Sequence, residues 1–280
     1  MMLSPLPNIL TVDVEDWFHI CGVSAQLPRS SWSRLEHRVE RGANIILDLL
    51  EKQGVSATFF ILGFVADHHP SLIRRIHAAG HEIATHGYEH RRVYTLSRET
   101  FRRDLRRSLS VIGDITGETV SAYRAPEWSI RDDSLWALDV LCEEGFTVDS
   151  SMAPLPIIGN TGYPRVPHRM DRPCGSILEV PPLVLEAPPI NLPAGGGWGL
   201  RVFPYRWIRR RVLQLNRAGQ PALFFVHPRE FLRDLPDVNL PMVKKLVLDA
   251  RIEPTLRRLE RLLGEFRFTT LSASLGHHRA

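Results

Sequence analysis

Several short stretches of this 280-residue chain carry side chains that could do chemistry together. His86 and His90 stand four apart in Thr85-His86-Gly87-Tyr88-Glu89-His90, so both imidazoles can face one ion from a helical turn or a tight loop. Two neutral imidazoles and a carboxylate around an open position form a common catalytic zinc site. With twelve histidines in the chain, the pair alone is weak evidence, and its place after a strand and beside Gly87 gives it weight. Asp13, Glu15 and Asp16 put three carboxylates within four residues. Such crowding is repulsive unless a cation or an arginine compensates, and a metal together with Arg124 would do so. His227 precedes Pro228 at the end of the apolar run Leu223 to Val226. Facing a metal it becomes a candidate general acid, since a free imidazole titrates near neutrality.

These residues need elements to bring them together. Apolar, β-branched or aromatic runs at Ile9–Val12, Ala57–Ile61, Glu82–Thr85, Thr119–Tyr123, Phe146–Val148, Ile177–Val180, Ala222–Val226 and Arg267–Leu271 read as strands. Helical spacing predicts helices over Val39–Gln53, Ser71–Ala79, Arg98–Thr116, Asp132–Glu144, Tyr205–Ala218 and Val243–Leu263, several of them stopped by glycine. Ser150 to Pro204 holds 11 of the 21 prolines and the Gly195-Gly196-Gly197 run, and reads as long loops around one strand. This alternation predicts a parallel sheet with helical crossovers, either a closed or partly closed barrel or an open doubly wound sheet. The barrel is preferred because Asp13, His86, Arg124, Asp149 and His227 all fall where strands end, the face on which such barrels carry their sites.

Composition narrows the function. Hydrophobic residues make up 44% and charged residues 24%, as in an ordinary globular protein. The net charge of +4 resides in helical stretches such as Arg102, Arg103, Arg106, Arg107 and Arg209 to Arg211, which read as solvated faces, and no nucleic-acid-reading motif accompanies them. Cys21, Cys142 and Cys174 are odd in number and scattered, and read as reduced thiols. The start of the chain lacks the basic and apolar regions of a signal peptide, and the longest apolar run, Ala57 to Ala66, is about half a bilayer crossing. A cytoplasmic protein without an integral membrane segment is the resulting expectation, with its oligomeric state open.

Five of these segments, in order from about Asn8 to Glu230, resemble the motifs of the polysaccharide deacetylase family, the NodB-homology or carbohydrate esterase family 4 deacetylases. They are Thr11-Val12-Asp13 with the acids behind it, Thr85-His86 through His90, Arg124-Ala125-Pro126-Glu127-Trp128, Val148-Asp149-Ser150-Ser151, and Leu223 through His227. Pro204-Tyr205-Arg206-Trp207 and His227 through Phe231 further resemble a bacterial subgroup associated with exopolysaccharide and exosortase loci. The resemblance implies a distorted (β/α)₇ barrel in one domain spanning 1–280, with the motifs in about 8–230 and a helix–strand extension in 231–280. It implies metal-dependent removal of N-acetyl groups from a polysaccharide or oligosaccharide, with a divalent ion, Zn²⁺ first and Co²⁺, Ni²⁺ or Fe²⁺ as alternatives. Asp13 would be the base positioned by Arg124, and His227 the acid oriented by Asp149. His86, His90 and one acid would hold the metal. Many members have a second aspartate beside the base, where this chain has Val14. Strand alternation puts Glu15 on the same side as Asp13, so Glu15 is the preferred ligand and Asp16 the alternative. Trp17, Phe18, Tyr88, Trp128 and Trp198 are candidate stacking surfaces for sugar rings. Two other readings are a metal-dependent amidohydrolase opening a small cyclic amide or imide, and a catalytically silent carbohydrate-binding protein.

Overall fold

The alternation of apolar runs and amphipathic stretches folds as a curled sheet wrapped by helices, in a computed structural model that describes residues 6–20, 26–156, 158–236, 238–240, 242, 245 and 254–276. In chain order the elements are β1 (Asn8–Val14), α1 (Val39–Gln53), β2 (Thr58–Ile61), α2 (Gly63–His68), α3 (Pro70–Ala78) and β3 (Glu82–Thr85). Then come α4 (Arg98–Thr116), β4 (Ala122–Tyr123), α5 (Trp136–Glu143), β5 (Val148–Asp149), β6 (His168–Arg172) and β7 (Gly175–Glu179). Next are β8 (Val184–Ala187), β9 (Ile190–Pro193), α6 (Gly197–Val202), α7 (Tyr205–Arg217) and β10 (Leu223–Val226). The last are α8 (Pro254–Glu265), β11 (Phe268–Thr269) and α9 (Leu271–Gly276).

The strands β10-β1-β2-β3-β4-β5-β7 lie side by side and all run parallel. β6 pairs antiparallel on the far edge, and β11 pairs with the start of β1. The seam between β7 and β10 is bridged by backbone rather than by another strand. Leu183 N–H donates to Leu223 O at 3.0 Å, and Phe225 N–H donates to Gly195 O at 2.9 Å. This is the distorted barrel that the family resemblance implies, curled rather than evenly closed.

The pleat sorts the side chains. One apolar cluster, including Ile9, Phe60, Ala84, Ala122, Val148, Val180 and Leu223, fills the inside of the curl. The residues one position along, Leu10, Phe59, Ile83, Tyr123, Ile177 and Phe224, join Ile46, Leu72 and Leu105 of the helices in the outer cluster. Residues two apart on a strand share a face. Asp13 therefore continues the inner row within β1, and His86, Arg124, Ser150 and His227 continue it just past their strand ends.

Three expectations are corrected. The proline-rich stretch contains the hairpins β6–β7 and β8–β9, which the sequence hid because β6 is polar on its exposed face and prolines stand at the hairpin ends. Helix α2, following directly on β2, was not expected. Cys142 of α5 and Cys174 of the β6–β7 turn are joined as a disulfide, with Cα atoms 6.1 Å apart, so they are not reduced thiols. Residues 32 apart in sequence meet because the hairpin packs back on α5. Cys21 lies outside the described residues, as do Met1 to Pro5 and part of the expected Val243–Leu263 helix. Among the described residues, no helix is long and apolar enough to cross a membrane.

Helix α1 seats directly on the turn that follows His227. A Cβ built on Gly42 would lie 2.2 Å from Pro228 O and 2.8 Å from its Cβ. Gly42→Ala is expected to force the helix off that turn and cost about 1–3 kcal/mol, read by urea unfolding. An unchanged midpoint would show that the contact is not tight.

Candidate active site

Arg124, just past β4, is fully buried, and its guanidinium spans three strands. Nη1 donates to Asp13 Oδ1 at 2.6 Å and to Thr11 Oγ1 at 2.7 Å on β1. Nε and Nη2 donate to Ser150 O and Oγ at 3.2 and 2.9 Å, beyond β5. Its faces are covered by aromatic rings, with the guanidinium carbon 4.2 Å from the centre of Phe60 and 4.5 Å from that of Trp128. Because the arginine holds only Oδ1, Asp13 Oδ2 is turned away from it, 3.8 Å from His227 Nε2.

The loop after β3 is pinned from behind. Asp104 of α4 accepts from the amides of Tyr88 and Glu89 at 2.7 and 3.0 Å, while Gly63 N–H at the start of α2 donates to Gly87 O at 2.8 Å. His90 sits at φ 50°, a left-handed conformation that costs a β-carbon residue energy and turns its ring inward. His86 Nε2 and His90 Nε2 then lie 3.0 and 2.9 Å from one oxygen, Glu15 Oε1. His86 Nδ1 is 2.8 Å from the carbonyl of Arg124, which can only accept, so Nδ1 carries the proton. On a neutral ring, Nε2 therefore presents a lone pair to the Glu15 carboxylate. Two acceptors do not hold each other at 3 Å; a cation between them resolves the conflict. Donor atoms of Glu15, His86 and His90 lie within 4.8 Å of one another, all buried, so this set fits a divalent metal. Burial works against the Glu15 charge, but His90 and His227 outweigh it and hold its carboxyl well below the usual range.

Asp16 is elsewhere. Its Oδ1 accepts from Trp17 N–H at 2.8 Å, and its Oδ2 from the amides of Arg38 and Val39 at 2.8 and 3.1 Å. It caps the N-terminus of α1, whose first amides lack intrahelical partners. The structure thus separates the two acids left open by the sequence, with Glu15 facing the histidines and Asp16 holding a helix.

His227 Nε2 faces Asp13 and also Glu15 Oε1, at 3.9 Å. Burial opposes its charge, yet Glu15 and Glu230 together raise the imidazole above its ordinary value. Asp149 does not orient it. Asp149 lies on the outer parity of β5, opposite Glu179 of β7, and its Oδ1 accepts from Ser151 Oγ at 2.5 Å. Burial, with no water to solvate two facing carboxylates, pushes Asp149 up to about 6 and Glu179 well above its usual range, so the pair retains a proton.

The expected stacking residues are also relocated. Trp17 is buried against Phe18, with Nε1–H donating to Glu36 O at 2.9 Å. Tyr88 is buried under the Arg107 guanidinium, its hydroxyl donating to Asp67 Oδ2 at 2.6 Å. Trp128 backs Arg124 and Phe225. All three are buried, at 7%, 4% and 6% relative exposure for Trp17, Tyr88 and Trp128. Phe18 is buried in the same cluster as Trp17, and Trp198 packs edge-on against Phe203. Asp104, Glu179 and Arg201 had no sequence signal beyond their types, and Thr11 and Ser150 stood in the quoted motifs without a role assigned to them. Only Glu230, three residues after His227, had a spacing that could have drawn notice.

A polysaccharide deacetylase family model matches residues 37–141, and a model described as a domain of unknown function (DUF3473) matches residues 150–276. The chain is 26% identical over 117 residues to a peptidoglycan-N-acetylglucosamine deacetylase from Bacillus cereus, covering 38% of this chain and 42% of that protein. It is 35% identical over 100 residues to a chitooligosaccharide deacetylase from Sinorhizobium fredii, covering 34% of this chain and 42% of that protein. The matches thus span less than half the length of these curated relatives. A solved structure from Mycobacterium smegmatis, assigned to the polysaccharide deacetylases, superposes with a TM-score of 0.68 at 21% identity, covering 98% of this chain and 92% of that one.

Glu15→Gln is expected to weaken Zn²⁺ binding by about tenfold or more, whereas Asp16→Ala leaves it intact and costs about 1 kcal/mol of stability. Calorimetric titration with zinc and urea unfolding read the two effects, and the reverse pattern would exchange the roles. The Asp149–Glu179 pair has a signed pH effect. Unfolded carboxyls release their protons near pH 4, while the folded pair keeps one, so the pair's contribution to stability falls as pH rises from about 4 through about 6. Glu179→Gln replaces the shared proton with an amide N–H. Its melting temperature should exceed the parent's at about pH 8 and converge with it near about pH 4. A pH-independent difference would show that the pair does not share a proton.

Proposed function

The chain carries a polysaccharide deacetylase domain, and on that premise we propose that it hydrolyses the acetamido groups of an N-acetylated saccharide at the mouth of the barrel. The observation that carries this reading is the convergence of a clamped carboxylate, a His₂-carboxylate donor set and a third histidine, His227, whose Nε2 lies 3.8 and 3.9 Å from Asp13 and Glu15.

Glu15, His86 and His90 would hold a divalent cation, Zn²⁺ first and Co²⁺, Ni²⁺ or Fe²⁺ as alternatives. Such an ion, when bound, supplies Lewis acidity that polarises the acetyl carbonyl and makes a water easier to deprotonate. Asp13 takes that water's proton on Oδ2, the oxygen that Arg124 does not hold. The water oxygen adds to the acetyl carbon, and the C–N bond then breaks with its electron pair passing to nitrogen. His227 gives its Nε2 proton to that nitrogen, leaving acetate and a free sugar amine. Arg124 holds Asp13 in place throughout.

The relatives, whose names specify peptidoglycan and chitooligosaccharide, support this substrate class. The likeness of Pro204–Trp207 and His227–Phe231 to an exopolysaccharide-associated subgroup supports a bacterial exopolysaccharide, or its oligosaccharide precursor, as the finer reading. We take the protein as a single catalytic domain over 1–280, with Asp13, Arg124 and His227 as its reacting and positioning groups.

Acetate release from a panel of N-acetylated oligosaccharides tests the reaction. A chelator should abolish release, and added Zn²⁺ or Co²⁺ should restore it. Asp13→Asn should lower kcat by about 10²- to 10⁴-fold in a protein that still folds and binds zinc. Undiminished release by chelated protein or by a folded Asp13→Asn protein would overturn the reading. Ring opening of cyclic imides without acetate release would assign the site to amidohydrolysis of that kind.

A further inference from the structure

The carboxylate facing His227 comes from three residues along the chain. Glu230 Oε2 lies 3.4 Å from His227 Nδ1 and accepts the His227 backbone N–H at 2.9 Å. Its other oxygen, Oε1, accepts from Arg201 Nη1 at 3.0 Å. The pair is withdrawn from solvent, with side-chain exposures of 1% for Arg201 and 9% for Glu230. Burying two charges is costly unless their geometry is held, so a pair of this kind is more than incidental packing. The backbone makes room for it, since a Cβ on Gly197 would sit 2.2 Å from Glu230 Oε2. The glycine run therefore opens the space that Glu230 fills, and Arg201 follows on the same short helix, α6.

Across 3.4 Å, short of a hydrogen bond, the Glu230 carboxylate favours the tautomer that carries its proton on Nδ1. Any second proton then sits on Nε2, the nitrogen that faces Asp13 and Glu15. Without that carboxylate, the ring is free to exchange tautomers or rotate, and the acidic proton loses its address. Asp149 cannot substitute, because it points to the outer face of the sheet toward Ser151 and Glu179.

We propose that Glu230, clamped by Arg201, is the positioning residue of His227, and that the region matched as a domain of unknown function thereby supplies the proton-donating half of the site. The activity arm of the test rests on the deacetylation reading; the structural arm does not.

The test uses the zinc-loaded full chain and the paired variant Glu230→Leu with Arg201→Met, which removes both buried charges together. Glu230→Asp is the conservative partner. Two substrates separate positioning from general damage: an N-acetylated oligosaccharide, whose amine must be protonated to leave, and an aryl acetate, whose phenolate leaves without a proton. The paired variant should lose about 10- to 100-fold in amide kcat with little change in KM, and its amide-to-ester rate ratio should drop about tenfold or more. Glu230→Asp should recover part of that ratio. Nitrogen-15 NMR of labelled histidines should show His227 with a fixed Nδ1–H in the parent and a mixture of tautomers in the paired variant. Equal losses on amide and ester, an unchanged amide rate, or an unchanged His227 tautomer would overturn the proposal. If the parent releases no acetate at all, the deacetylation reading fails, and the tautomer measurement still decides what Glu230 does.

Discussion

A guanidinium with no access to water sits at the centre of this protein, and much of the mouth is organised by the need to satisfy it. Arg124 has five N–H donors and two open faces, and burial removes the solvent that would otherwise serve them. The fold supplies Asp13 and Thr11 from β1, Ser150 from beyond β5, and the rings of Phe60 and Trp128 above and below. The same residue's carbonyl accepts from His86 and fixes which nitrogen of that ring faces Glu15. One desolvated cation thus orients the proposed base and one proposed metal ligand. Its removal would leave Asp13 buried without a counter-charge, a far larger disturbance than the loss of one hydrogen bond.

The three acids crowded between residues 13 and 16 show how backbone direction divides a local cluster. Asp13 is still in the strand and points inward to Arg124. Glu15, two further on, keeps that side as the strand ends and reaches the imidazoles of the β3 loop. Asp16 falls on the turn and is taken by the open amides of α1. Each carboxylate therefore has a different compensating partner, namely a guanidinium, a cation site and a helix terminus. Only Asp16 is taken away by separation; Asp13 and Glu15 offer oxygens within 4.8 Å of each other and both face His227 Nε2.

The two halves of the chain contribute different chemistry to one mouth. The segment before residue 142 brings Asp13, Glu15, His86, His90 and Arg124, the proposed base with its clamp and the proposed cation ligands. The segment after residue 150 bridges the seam beside β10 through Leu183 and Gly195, and brings His227 with Glu230 and Arg201. Helix α1 links the two, seated on the turn after His227 at one end of its packing and capped by Asp16 at its start.

Periodicity and residue type alone gave the parallel α/β order, the ends of α1, α4 and β3, and the identity of Asp13, Glu15, His86, His90, Arg124 and His227 as residues worth watching. Those features are local: apolar spacing, glycine stops and reactive side chains at strand ends are written along the chain. The alternation also contained the information that Asp149 faces outward, since Val148 and Ser150 share the inner row, but a two-residue strand gives too short a pattern to read parity from sequence. The hairpins in the proline-rich stretch, the disulfide between Cys142 and Cys174, the capping role of Asp16 and the pairing of Glu230 with Arg201 were decided only by the tertiary structure. Each joins residues that carry no mark of their partner, and a buried charge or an open helix end acquires its meaning only when the packing shows what has been brought beside it.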